Sequence, residues 1–305
     1  MKHNFAKVQL YVIIGEKMKS NIKRLSVKFF AVFTILSLII VLFLFFIGFF
    51  SVRTRIFYNL EKNGIDTWFA QPNIDIEMPK CFIFTYCKLQ QIFISSESNI
   101  KETLFKDLSQ IRETFHLNIS NSKINDEILD IIVQMKNVHE LELKECTNIS
   151  DLGITKLQMM SNLKYLNLFS VDCSDIGCES LRDMPNLQYL VVAHTRVSGK
   201  CFGKEGWKIL KSIDLNYCKI DKNVFNILSN LPRLQTLRVT YYPGLFEDLL
   251  PLLSKESIRK IWVNVYDLDD LTIIQLKENL NPKIELRKME YFYPVETIYD
   301  RMLID

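Results

Sequence analysis

The chain has 305 residues, a net charge of +3 and an apolar content of 48 %, which excludes a disordered polymer, because such chains are polar and highly charged. The charge is uneven: residues 1–62 carry 10 Lys or Arg against 2 Glu, leaving 28 basic against 33 acidic residues in the remainder. A body with an acidic excess argues against nucleic-acid binding, which needs Lys and Arg to neutralise phosphates.

Residues 1–28 form a basic head. Met18 opens MKSNIKRLSVK, which is a complete basic head by itself, so Met1 and Met18 both stand as starts. Residues 29–50 (FFAVFTILSLIIVLFLFFIGFF) carry no charge, and only Thr34, Ser37 and Gly48 interrupt the apolar run. A helix over this run reaches about 33 Å at 1.5 Å per residue, enough for a hydrocarbon core of about 30 Å, so the run predicts one transmembrane helix. A cleaved signal peptide would have an apolar region of about 7–15 residues ending in small residues, whereas this run ends FFIGFFSVRTR. A buried core helix would need protein on every side of it. Lys2, Lys7, Lys17, Lys19, Lys23, Arg24 and Lys28 precede the run, and Arg53, Arg55 and Lys62 follow it. This bias predicts a single-pass signal-anchor with its N-terminus in the cytoplasm and the body extracytoplasmic.

Residues 51–80 are read as a linker or N-terminal cap, with Pro72 and Pro79 in its second half. From 81 to 281 the spacing L-x-x-L-x-L recurs. It is plainest in Leu163, Leu166, Leu168 and in Leu187, Leu190, Val192, and is repeated by Val138, Leu210, Leu234 and Ile258 with their followers. Weaker copies start at Leu89 and Thr114, and the starts 89, 114, 138, 163, 187, 210, 234 and 258 are 23 to 25 residues apart. Inside each unit the second and third apolar positions alternate with polar ones, the period of a short strand with one buried face. Amphipathic stretches such as 149–163 and 224–234 follow and predict a helical return. One strand and one helix cannot bury their own apolar faces, but stacked copies can. The predicted fold is therefore an α/β solenoid of about eight repeats of about 24 residues, its parallel sheet on the concave side. Residues 282–305 supply a last strand through Ile284 and Leu286 and an aromatic tail, read as a C-terminal cap.

These units resemble leucine-rich repeats. The stretch LKECTNISDLGITKLQMMSNLKYLNL (143–168) is similar to the variant in which a small polar residue and S/T-D-x-G-L open the helix. The basic head, apolar span, Arg53-x-Arg55 and LEKNG (60–64) resemble the entry of planctomycete-type bacterial leucine-rich repeat membrane proteins. The resemblance implies interaction rather than chemistry. The unit from 187 departs from the pattern, with SGKCFGKEGW in place of the helix start, and the unit from 234 has YYPGLFEDLLPLL, so short helices or loops are expected in both.

The seven cysteines form no C-x-x-C pair, which indicates neither a zinc site nor a full disulfide framework. Cys146 and Cys218 fall where this repeat class takes Asn, Cys or Thr, and read as buried structural thiols. Cys81 and Cys87 stand as a possible bridge in the cap, which sequence alone does not decide. The body's His116, His139 and His194 belong to no catalytic motif, and there is no G-x-S-x-G and no phosphate loop. No enzyme, cofactor or metal is therefore expected. The sequons at Asn118 and Asn148 overlap turns that such repeats fill with Asn for structural reasons.

Stacking the units gives columns of sheet side chains. Two residues after each start stand Gln91, His116, Glu140, Tyr165, Tyr189, Ser212, Thr236 and Lys260; four after stand Phe93, Asn118, Glu142, Asn167, Val191, Asp214, Arg238 and Trp262. Tyr165, Phe169, Tyr189, His194, Tyr217, Tyr241 and Trp262 thus gather on the expected concave face as candidate partner-binding residues, aromatics being what binding hot spots use. Cross-strand pairing of tyrosines is the competing explanation. The expected function is a membrane-anchored protein that binds a protein or envelope component through that face. The alternative is a scaffold in a membrane complex that uses the transmembrane helix and cap.

Overall fold

The computed structural model describes residues 32–44, 52–70, 88–94, 102–266, 268–278 and 280–288. The chain divides into two compact units, residues 1–55 with 71–87 and residues 56–70 with 88–305. In the first, residues 32–44 are helical and their side chains are exposed. At 1.5 Å per residue this described part reaches about 20 Å. No helix among the described residues is long and apolar enough to cross a membrane. Residues 29–31 and 45–50 of the apolar run, the basic head 1–28, Cys81, Cys87 and the tail 289–305 lie outside the described residues.

The second unit is an open, ten-stranded sheet whose strands follow one another in chain order. β1 (Asp66–Ala70) is antiparallel to β2 (Lys88–Ile94), a lone reversal at the edge of an otherwise parallel sheet. The rest are β3 (Phe115–Ile119), β4 (Val138–Glu142), β5 (Tyr165–Asn167), β6 (Tyr189–Val191), β7 (Ser212–Asp214), β8 (Thr236–Thr240), β9 (Lys260–Val265) and β10 (Ile284–Lys288). Their register reproduces the columns predicted from spacing: Ile92, Leu117, Leu141, Leu166, Leu190, Ile213, Leu237 and Ile261 are aligned partner to partner and all buried. A slip of one residue would turn this whole row to the other face, so burial fixes the register.

Each of the strands β3 to β7 leaves the sheet through one residue in the left-handed region. Asn121 (φ 48°), Glu145 (57°), Ser170 (56°), His194 (56°) and Tyr217 (60°) occupy this place in successive units. The turn sends the amide to the next unit: Glu145 N–H donates to the Phe169 carbonyl (2.8 Å), Ser170 N–H to Ala193 (3.1 Å) and His194 N–H to Asn216 (2.8 Å). Three asparagines just before the strands, Asn137, Asn162 and Asn186, donate their side-chain amides to the carbonyls of Ile111, Lys136 and Ser161 in the unit behind.

The helical returns form a second row, built around an Asn-Asp start at 125 and Ser-Asp-x-Gly segments at 150 and 174. Asn125, Ser150 and Ser174 cap the helices Asp126–Ile132, Asp151–Lys156 and Asp175–Ser180, accepting from Ile128, Leu152 and Ile176 N–H. The aspartate after each cap reaches forward one unit. Asp126 accepts from the Ser150 amide (2.9 Å) and hydroxyl, Asp151 from the Ser174 amide (2.8 Å) and hydroxyl, and Asp175 from the Ser198 amide (3.1 Å) and hydroxyl. Burial opposes ionisation of Asp175, but the bonds from Ser198 and Cys201 outweigh it and hold the carboxyl below the usual range. The glycine of the motif makes room for this reach: a Cβ on Gly153 would lie 2.7 Å from Asp126 Cγ.

The returns are short. The stretch 149–163 gives Asp151–Lys156 and a 3₁₀ turn, Leu157–Met159, and the stretch 224–234 gives Val224–Ser229. In the unit from 187 the helix is replaced by the 3₁₀ turn Lys200–Gly203 behind Gly199 (φ 94°). The unit from 234 carries two single turns, Leu245–Asp248 and Leu250–Leu253, as its Pro- and Gly-containing sequence predicts.

Candidate functional site

On the sheet face opposite the buried leucine row, the predicted aromatic positions separate into three groups. Tyr165 and Tyr189 are partners across β5 and β6, and the Tyr165 hydroxyl lies 3.2 Å from Asn167 Nδ2. Tyr165 is only 7 % exposed while Tyr189 is half-buried. Trp262 on β9, 9 % exposed, is sandwiched by the guanidinium groups of Arg238 (4.8 Å) and Arg287 (5.1 Å), a cation–π stack. The third group lies at the strand ends. Phe169 stacks on His194 at 5.8 Å, His194 meets Tyr217 edge-on at 6.2 Å, and Tyr217 packs on Tyr266 at 5.0 Å. Tyr241 stands apart, tilted on Phe246 at 5.8 Å.

The aromatics that the sequence gathers on one face do not form one exposed surface. Tyr165, Phe169 and Trp262 are buried, with Phe169 at 9 %. His194 is exposed, and Tyr189, Tyr217 and Tyr241 are half-buried. His194 and Tyr217 sit in the left-handed turn at the rim, because the strand ends before them. Burial, with Asp214 nearby, pushes the Tyr217 hydroxyl up to about 12, so it stays protonated and polar at neutral pH. His194 Nδ1 lies 3.0 Å from Ser170 Oγ, the residue in the same turn of the preceding unit. Tyr266 is a member that sequence columns do not reach, since it follows the last position of β9 and joins the group only through the stacking of units.

A polar cluster also lies on this face, at its N-terminal end. Register places His116, Glu140 and Tyr165 in one column and Asn118, Glu142 and Asn167 in the other. Glu142 is fully buried, with Oε1 3.0 Å from His116 Nε2 and Oε2 2.7 Å from Lys144 Nζ. Burial raises its pKa, but the bonds and charges of His116 and Lys144 outweigh this and bring the carboxyl down to about 2. Asp214 shows the opposite balance: burial pushes it up, and Arg238, at 3.9 Å, offsets this only in part. His116 and Glu142 appear in the predicted columns and Lys144 does not, and nothing in the spacing says that His116 and Lys144 meet around one carboxylate.

Among the described residues no group of three or more His, Cys, Asp or Glu converges as metal ligands do. Cys146 and Cys173 are buried thiols, with Cys146 donating towards the Ile119 carbonyl at 3.5 Å. Cys178 and Cys201, from successive units, place their sulfurs 2.8 Å apart. No family model matches the chain, and no curated protein matches it at a significant level.

Proposed function

We propose that the chain is a membrane-anchored leucine-rich repeat protein, without catalytic activity or cofactor, that binds a protein or envelope component through the concave face and its rim. Residues 29–50 serve as the anchor, with the head in the cytoplasm and the repeats outside. The spacing of 23 to 25 residues, the strand-and-return unit and the Ser-Asp-x-Gly helix start support the family reading. The observation that carries the binding reading is the placing of two rings, His194 (φ 56°) and Tyr217 (φ 60°), at the turn position that Asn121, Glu145 and Ser170 fill with polar side chains in the preceding units. Rings at the rim, stacked into one run with Phe169 and Tyr266, suit a recognition surface.

A second reading is favoured by the burial of Tyr165 and Trp262: a scaffold within a membrane complex, with the sheet face idle and the anchor and cap making the contacts. Pull-down of the intact protein from its native membrane, followed by affinity measurement with the captured partner, separates the two. Tyr189→Ala and Tyr217→Ala should each weaken binding at least about fivefold, the size of a modest hot spot. Lys222→Ala, on the helical side, should leave it unchanged. A partner whose affinity ignores both tyrosines supports the scaffold.

A further inference from the structure

We propose that Cys178 and Cys201 are oxidised to a disulfide that staples two successive repeats on the helical side. Cys178 lies in the helix Asp175–Ser180 and Cys201 in the 3₁₀ turn Lys200–Gly203, which stack one repeat apart. Their sulfurs are 2.8 Å apart, so roughly 0.8 Å of closure brings them to the bond length of about 2.04 Å. The backbone is already clamped at this point, since Cys201 and Gly199 N–H both donate to Asp175 Oδ1, at 3.2 and 3.1 Å. The Trp207 indole N–H donates to the Cys201 carbonyl at 3.2 Å and fixes the turn from its other side.

The staple falls where the array needs one. This is the unit whose helix is reduced to a 3₁₀ turn, and its flanking strands β5, β6 and β7 are the short ones, three residues each. The bond would close a loop of about 23 residues, and cross-linking restricts the unfolded chain.

The chemistry needs a two-electron oxidant, here a small-molecule disulfide. One cysteine thiolate attacks a sulfur of the oxidant and expels one thiolate, leaving a mixed disulfide on the protein. The second cysteine thiolate attacks the protein-bound sulfur and expels the other. The protons of the two cysteines end on the two released thiols, so the protein loses two electrons and the oxidant's S–S bond gains them. Both sulfurs are buried and burial raises both thiol pKa values, Cys178 most strongly. Exchange therefore proceeds while the two units are apart, during folding or local opening, and the closed array then shields the bond.

The full chain, unfolded and then refolded in detergent with glutathione disulfide as the oxidant, tests this directly, whatever compartment the repeats occupy. After alkylation under denaturing conditions, cleavage before Asp175 separates Cys173 from Cys178. The expected product is a Cys178–Cys201 linked peptide, and reduction should lower the melting temperature by roughly 5–10 °C, a shift that Cys178→Ser should abolish. Full alkylation of all seven cysteines, or a link joining Cys173 to either partner instead, would overturn the proposal. The mass readout on the unmodified chain decides the matter even if the serine variant does not fold.

Discussion

Gly153 and Asp126 test the claim that the glycine of a Ser-Asp-x-Gly segment makes room for an aspartate reaching forward from the unit before. Asp126 accepts two hydrogen bonds from Ser150, through its amide and its hydroxyl. Bonds to a charged group contribute roughly 1.5–3 kcal/mol each, and Asp126 is half-buried, so water replaces part of what is lost. Asp126→Ala should then cost about 2–4 kcal/mol. In Gly153→Ala the new methyl would lie 2.7 Å from Asp126 Cγ and 3.0 Å from Leu129 Cδ1. The carboxylate must swing away and give up Ser150, so the cost should approach that of Asp126→Ala, reduced by the roughly 1 kcal/mol by which Ala outranks Gly in a helix. In the double variant the obstructing carboxylate is gone and only the mobile end of Leu129 remains. Adding Gly153→Ala to Asp126→Ala should therefore be neutral or stabilising by up to about 1 kcal/mol. Urea denaturation of the four proteins in one detergent gives the cycle, with hydrogen exchange at the Ser150 amide as a local check. Additive losses from the two substitutions would refute the reasoning, because they would show that the glycine and the aspartate do not share one space.

Leu166→Ala, in the buried row, should destabilise by roughly 2–5 kcal/mol, while Lys164→Ala, exposed beside it, should stay within about 0.5; equal losses in urea denaturation would mean that the row is not the core. Glu142 has a depressed pKa, so its ionised form stabilises the fold above the unfolded value of about 4.5 and this contribution is lost as pH falls towards about 2. It amounts to at most about 3 kcal/mol, and the stability of the native chain minus that of Glu142→Gln should shrink across this window; parallel curves would count against the His116–Glu142–Lys144 cluster. On the membrane proposal, Ile39→Arg should cost roughly 2.5–3.5 kcal/mol of insertion free energy and deplete the membrane fraction, and an unchanged distribution on fractionation would contradict the anchor.

The strands were legible because the signal that specifies them is the same one that a reader sees. Leu166 and Leu190 must face inward at a fixed spacing for neighbouring units to bury each other, so the spacing predicts the pairing residue by residue. The aspartate reach was visible only as a motif, since a Ser-Asp-x-Gly string does not state that its carboxylate serves the next unit. Asn137, Asn162 and Asn186 were silent for a similar reason: Asn before an apolar run reads as a turn residue until its carbonyl partner is known. The aromatic columns failed at Tyr165 and Trp262, because a column gives the face on which a side chain starts and not what covers it. They failed in another way at His194 and Tyr217, where the strand stops earlier than the apolar pattern and the turn carries the ring to the rim.

The polar and apolar devices that join the units change along the array, and this change bears on where it can respond to a partner. The aspartate reach joins the units from Asp126 to Ser198, and the asparagine ladder ends at Asn186. Beyond them the helical side is joined by other contacts: Gly199 packs where an added Cβ would lie 3.1 Å from Val224 Cβ, Asp221 N–H donates to the Ser198 carbonyl (2.9 Å), and Lys255 Nζ donates to the Ser229 carbonyl (2.7 Å). A single bond to a carbonyl grips less than a carboxylate holding two donors, so these units can adjust against one another at lower cost. His194 and Tyr217 lie on the two units that meet at this transition. A ligand pressed on the rim would then be read by the part of the array most able to move, while the aspartate-joined repeats hold their register. The proposed Cys178–Cys201 bond joins the units from 163 and 187, one interface before this transition and beside the Asp175 reach, so closing it should stiffen the support from which the freer units move without touching any residue that a partner would contact.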